Sequence, residues 1–253
     1  MPVPETKPMT LVRGANLLFA VSQSIFGQTS RLTGLGMPVD QRPQTFHAGT
    51  PVSFAFAIWG PLFASELLYA WRVARDGESP LHQDIAPLTA LAFAGNTAWE
   101  LQAGLRGFEW QSNAIILGAA VAAGTAIIRA ERGDYPEDEK KKVRLPVGTL
   151  AGWLIAACAA NAEASRVQML GRPEQPREQK EVLALIAVAS TAAAAVTVAA
   201  RGSLHVAAGS AWGLAGIAVR NVMEKRPPVV AAALAGIGAL GVAVLVGRLL
   251  ARG

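Results

Sequence analysis

Two glutamates stand in stretches that are otherwise apolar. Glu66 lies in PVSFAFAIWGPLFASELLYAW and Glu100 in AFAGNTAWELQAG. A carboxylate facing the hydrocarbon centre of a bilayer costs about 2.5 to 3.5 kcal/mol, so each is expected to point into a helix bundle or a protein contact. At a helical turn of about 100° per residue, Phe56, Trp59, Phe63 and Glu66 fall within about 80° of one another. Asn96, Trp99 and Glu100 share a face in the same way. In RLPVGTLAGWLIAACAANAEAS, Trp153 and Asn161 lie on overlapping faces. Amides inside a membrane need another helix or a ligand to satisfy them. Ring faces with a few hydrogen-bonding groups can hold a hydrophobic aromatic molecule. No Ser-His-Asp set, catalytic dyad or metal cluster is evident, so no catalytic residue, no metal and no enzyme activity are expected. His47, His82 and His205 are widely separated and are expected to be interfacial histidines rather than axial ligands of a bound pigment.

The elements that must position these residues are membrane helices. Of 253 residues, 52% are hydrophobic and 16% charged, against about 25% charged in a soluble domain. The bilayer core requires about 20 apolar residues per helix. Apolar segments are read at 11–28, 51–74, 85–106, 112–130, 145–165, 181–200, 203–222 and 228–250. The chain is therefore expected to be an all-α integral membrane protein of about eight transmembrane helices. Pro51, Pro87, Pro146 and Pro228 are placed at or near first helical turns, where a missing N–H is harmless, and Pro61 is expected to kink the second helix. The first thirty residues read as the first membrane helix rather than a cleaved leader.

A net charge of +5 does not imply nucleic acid, because Lys and Arg sit at segment ends and in loops without a basic stripe. Their distribution places both termini on the cytoplasmic side. The acid and lysine run of 131–144 is read as a solvated loop. The sole cysteine, Cys158, falls in an apolar segment and forms no disulfide framework. Trp71 and Trp110, at segment ends, suit the interfacial belt. The pairs Gly148/Gly152 and Gly209/Gly213 are expected to let helices of one chain approach closely. Gly236, Gly238 and Gly241 match the spacing of a dinucleotide fingerprint, but with no preceding strand and no following acid that reading is rejected.

Three motifs in order carry a resemblance: TP followed by the IWG segment at Pro51 to Gly60, the N-x-x-W pair of Asn96 and Trp99, and RLP followed by GW and a later N from Arg144 to Asn161. A weaker echo is AWGLAGIAV at 211–219. The chain resembles the tryptophan-rich sensory proteins (TspO/MBR), bacterial relatives of the translocator protein or peripheral-type benzodiazepine receptor, in their longer branch. The resemblance covers about residues 13–222, and Phe63 stands where the family usually has tyrosine. It implies a five-helix translocator-like core over 1–165, a first loop over 29–50 that lids an aromatic pocket, and a three-helix extension over 166–253. Carried over by position, the ligand-binding residues are Trp59, Phe63, Asn96, Trp99, Trp153 and Asn161, with Glu66 and Glu100 as polar contacts. The implied ligand is a tetrapyrrole, a porphyrin or haem bound as ligand and not as catalyst, for sensing, storage or transport in a bacterial inner membrane. The alternative is a non-catalytic structural or regulatory subunit of a larger, pigment-handling membrane complex. Expected partners are the bilayer, a hydrophobic small molecule, and other membrane subunits or further copies of the chain. A secondary transporter is a third reading, but paired broken helices in the two halves are missing.

Overall fold

The computed structural model describes residues 7–26, 47–75, 79–171 and 175–252. Most of the expected lid, 29–46, lies outside the described residues. Regular structure among the described residues is helical throughout: α1 (Lys7–Phe26), α2 (Trp59–Arg75) entered through a 3-10 segment (Ser53–Ile58), α3 (Pro80–Leu105), α4 (Trp110–Arg132), α5 (Glu137–Val143), α6 (Thr149–Leu170), α7 (Gln175–Ala199), α8 (Leu204–Met223) and α9 (Pro227–Leu250). A π-helical turn at Arg144–Gly148 joins α5 to α6 without a break, so the described residues form eight long helical segments, as the apolar pattern predicts. Five of them are long and apolar enough to cross a membrane: Ser53–Arg75, Trp110–Arg132, Glu137–Leu170, Arg177–Ala199 and Pro227–Leu250. The other three, α1, α3 and α8, carry buried polar side chains, among them Asn16, Gln23, Asn96 and Asn221.

α1 packs on α2 and α3, α3 on α4, and α4 on α6. On the far side α6 meets α7 and α8, and α7, α8 and α9 pack on one another. The α6–α8 crossing depends on the small residues read from the sequence. A Cβ added at Gly152 would lie 2.1 Å from Val206 O, and one at Gly209 would lie 2.4 Å from Thr149 O. Backbone rests directly on backbone, and Ser210 Oγ donates to Gly152 O at 2.7 Å. Gly236, Gly238 and Gly241 lie inside α9, as the rejection of a nucleotide loop requires.

Several local expectations need correction. The 131–144 stretch is not a solvated loop: Glu137–Val143 is helical, and Glu131 and Lys140 are buried. Arg144 organises it by pairing with both Glu131 and Glu137. Pro87 lies inside α3, because Ser79 and Pro80 start that helix earlier and Ser79 Oγ accepts from His82 N. That start also draws His82, expected outside the helices, into α3, where it is buried. Pro146 sits in the π-helical turn, where the backbone absorbs its missing N–H. Pro61 falls in the first turn of α2 and lacks no bond there, so the irregularity precedes it as the 3-10 segment.

Candidate functional site

The site begins with the 3-10 segment. At three residues per turn, side chains three apart eclipse, so Phe56 and Trp59 present their rings together. Both meet Trp153 of α6 edge-on, with ring centroids 5.9 and 5.8 Å away. Trp99 of α3 and Phe108 of the α3–α4 connection complete an aromatic enclosure, and Ala156, Ala157, Ala160 and Ala164 of α6 form a smooth wall. The enclosed cavity is small, about 40 Å³, room for a few water molecules.

The polar atoms here are unequally satisfied. Trp99 Nε1 donates to Asn161 Oδ1 at 2.7 Å, and Asn161 Nδ2 donates to Ser112 Oγ at 3.0 Å and to Asn113 Oδ1. That network ties α3, α4 and α6 together. Trp153 is 2% exposed, yet its indole N–H has no hydrogen-bond partner among the described residues. Its Cζ3–Cε3 edge faces Gly213 of α8, which leaves the N–H on the opposite edge of the ring. A buried donor without an acceptor costs about 1 to 3 kcal/mol, so an acceptor brought within reach of it would be stabilised.

One wall of the cavity is the chain entering the 3-10 segment, including Thr50 and Pro51, and α8 grips it. Trp212 Nε1 donates to Ala55 O at 2.7 Å, Arg220 to Pro51 O at 3.2 Å, and Asn221 Nδ2 to Ala48 O at 2.7 Å. Val52 N donates back to Gly216 O at 3.1 Å. Positions 212, 216 and 220, four apart, form one stripe of the helix, and a Cβ at Gly216 would lie 2.8 Å from Pro51 and Ala55. Below this stripe, His47 Nδ1 sits 2.7 Å from Glu163 Oε2, and both residues are buried. Gly49 packs against them: a Cβ there would lie 1.9 Å from Glu163 Oε2, so a larger residue would have to displace that carboxylate.

Of the residues singled out from sequence, Trp59, Trp99, Trp153 and Asn161 line the cavity. Phe63 and Asn96 do not. Phe63 stacks on Trp59 at 5.0 Å and supports it from behind. Asn96 donates to Gln23 Oε1 of α1 at 3.1 Å, and Gln23 Nε2 donates to Glu66 Oε2 at 2.5 Å. Glu66 is fully buried and Glu100 is 6% exposed, so both acids avoid lipid as expected, but neither faces the cavity. Glu66 lies two helical turns beyond Trp59, on the part of α2 that meets α1. The periodic face read as one continuous site is thus divided, its start turned toward α6 and its end toward α1. Sequence reasoning missed Phe108, the alanine wall, the α8 stripe and the His47–Glu163 pair. The stripe was visible as small and polar residues at spacing four, whereas nothing links His47 to Glu163 across more than a hundred residues.

The family model described as TSPO-like protein matches residues 20–246. No curated protein and no solved structure matches. That span includes α8, whose side chains hold the cavity wall, as well as α2, α3 and α6, which supply its rings. On the extent of that match, the chain belongs to the TSPO-like family of membrane proteins.

Proposed function

We propose that the chain binds a flat hydrophobic aromatic ligand, of the tetrapyrrole class, in the aromatic cavity between α2, α3 and α6, for sensing, storage or transport rather than catalysis. The carrying observation is the buried indole N–H of Trp153, without a hydrogen-bond partner among the described residues, set among the rings of Phe56, Trp59 and Trp99. Aromatic walls with a few placed polar groups are the usual composition of a small-molecule site. The cavity is far too small for a tetrapyrrole as it stands, so binding requires the wall held by α8 to move outward. In this reading Trp153 donates to a ligand acceptor, Trp59 and Trp99 stack on the ligand faces, and the alanines of α6 provide clearance. Asn161 sets the ring of Trp99, while Phe63 sets that of Trp59. Glu66, Glu100 and Asn96 shape the α1–α2–α3 interior. The basic end formed by 129–144, Arg201 and Arg248 faces the cytoplasm of a bacterial inner membrane, following the positive-inside bias.

The test is a titration of the detergent-purified full chain with protoporphyrin, read by tryptophan fluorescence quenching and by the shift of the porphyrin absorption band. Saturable binding that weakens in Trp153→Phe and Trp59→Ala is expected. Binding of equal strength in both variants would place the ligand elsewhere. Failure to bind, together with copurification of large membrane subunits, would favour the accessory-subunit alternative.

A further inference from the structure

The opposite end of α8 holds a second cavity, unrelated to the aromatic one, of about 340 Å³ and lined by Glu131, Arg144, Arg201, Ser203, His205 and Arg248 among others. Its charges do not cancel. Glu131 and Glu137 are paired with Arg144, and Lys140 Nζ donates to Glu131 O at 3.3 Å. Two acids thus face two bases, and the guanidinium groups of Arg201 and Arg248 remain, with no ion pair or hydrogen bond among the described residues.

The backbone is built to bring them together. Arg201 has φ of 53° and Gly202 φ of 76°, a left-handed pair that turns the chain sharply between α7 and α8. A Cβ at Gly202 would lie 2.4 Å from Val244 O, and one at Gly247 would lie 2.4 Å from Gly202 N. The turn is therefore pressed onto α9 next to Arg248. Left-handed φ is unfavourable for arginine, and two like charges at one cavity repel; neither arrangement stabilises the apoprotein.

Ser203 is the independent pointer to a ligand. It occupies the N-cap position of α8, is 7% exposed, and makes no capping bond; its Oγ has no hydrogen-bond partner among the described residues. A hydroxyl at that position ordinarily closes back on the first-turn amides. Here the residue lines the cavity with its Oγ buried just beneath the lining, where turning about χ1 would present it to a ligand. It stands beside the N-terminal end of a 20-residue helix, where backbone N–H groups and the helix dipole favour an anion.

We propose that this cavity binds the oxyanion of a phosphate group, with Arg201 and Arg248 as charge partners and Ser203 Oγ and the first-turn amides of α8 as hydrogen-bond donors. Charge-assisted bonds from guanidinium to phosphate are among the stronger ones, and basic pockets between membrane helices suit lipid headgroups. The same chemistry serves a free phosphate and the headgroup of an anionic lipid.

The test uses the full chain in an uncharged maltoside detergent and follows its thermal unfolding with inorganic phosphate, or with phosphatidylglycerol, added in increasing amounts. At least one probe is expected to raise the unfolding temperature saturably. Arg201→Asn/Arg248→Gln, which puts at 201 a residue tolerant of left-handed φ, is expected to weaken the apparent affinity by roughly tenfold or more. Ser203→Ala, which removes one oxygen, is expected to weaken it about threefold. A response to both probes assigns an open phosphate site, and a response to phosphatidylglycerol alone assigns a lipid headgroup. The proposal is overturned if neither probe shifts the wild type, or if the shift persists undiminished in the double variant. Should the double variant fail to fold, an unchanged affinity in Ser203→Ala overturns it.

Discussion

The two ends of α8 differ in the kind of polar group left without a partner among the described residues, a buried indole at one and exposed guanidinium groups at the other. On its C-terminal side, hydrogen bonds from Trp212, Arg220 and Asn221 close a chain segment over an aromatic cavity, where the indole N–H of Trp153 has no hydrogen-bond partner among the described residues. Near its N-terminal end the groups without a partner among the described residues are the exposed guanidinium groups of Arg201 and Arg248 and the buried Ser203 hydroxyl, around a wider cavity. Other charges of the same end are paired: Arg129 lies 3.2 Å from Asp84, and Tyr135 Oη donates to Asp84 at 3.1 Å. Burial, and then the carboxylate of Asp84, push the Tyr135 phenol above its usual value, so it remains a donor. In the proposed readings the aromatic end would select by shape and ring contact, and the charged end by charge.

The largest effect that could break this contrast is at the crossing between the two ends. Gly152→Val would force a side chain into Val206 O, and overpacking of backbone on backbone is expected to cost about 3 kcal/mol or more. Thermal unfolding in detergent should show a marked loss. Wild-type stability would mean that α6 and α8 do not meet at these glycines.

Next comes the buried pair beneath the cavity wall. His47→Ala leaves Glu163 buried without its histidine, and stranding a buried polar group costs about 1 to 3 kcal/mol. Hydrogen exchange should accelerate in residues 48–56, while the Arg144–Glu131 end keeps its protection. Equal acceleration at both ends would show that the wall and the charged end open as one unit.

Asn221→Ala removes one hydrogen bond to Ala48 O, with an expected cost of about 1 kcal/mol. Its signature is kinetic: ligand association and release at the aromatic cavity should both quicken, with little change at equilibrium. Unchanged rates would show that α8 does not govern entry.

Trp153→Phe is expected to have the smallest effect on the apoprotein, because it deletes a donor without a partner among the described residues. Unfolding temperature should stay level or rise slightly, while porphyrin affinity falls by a few-fold, corresponding to about 1 kcal/mol. A parallel loss of stability and affinity would mark Trp153 as a packing residue only.

What the sequence by itself determined is the set of helices and the avoidance of lipid by their acids. Bilayer thickness forces long apolar segments to declare themselves, and Glu66 and Glu100 had to turn inward because hydrocarbon offers a carboxylate nothing. The glycines of the α6–α8 crossing were legible for a similar reason, since only small residues at spacing four let two backbones touch. Which inward residues share a cavity was decided by tertiary structure. Asn96 and Trp99 lie on one face of α3, yet Asn96 donates to Gln23 of α1 and Trp99 to Asn161 of α6, because a helix in the middle of a bundle has a different neighbour on each flank. The charged run at 131–144 looked like a loop because solvation and ion pairing produce the same composition, and only the position of Arg144 between Glu131 and Glu137 separates them. Arg201, Ser203 and Arg248 become one site only because the left-handed turn at 201–202 seats on Gly247 of α9. That contact joins two helix ends distant in sequence, and no periodicity along either helix encodes it.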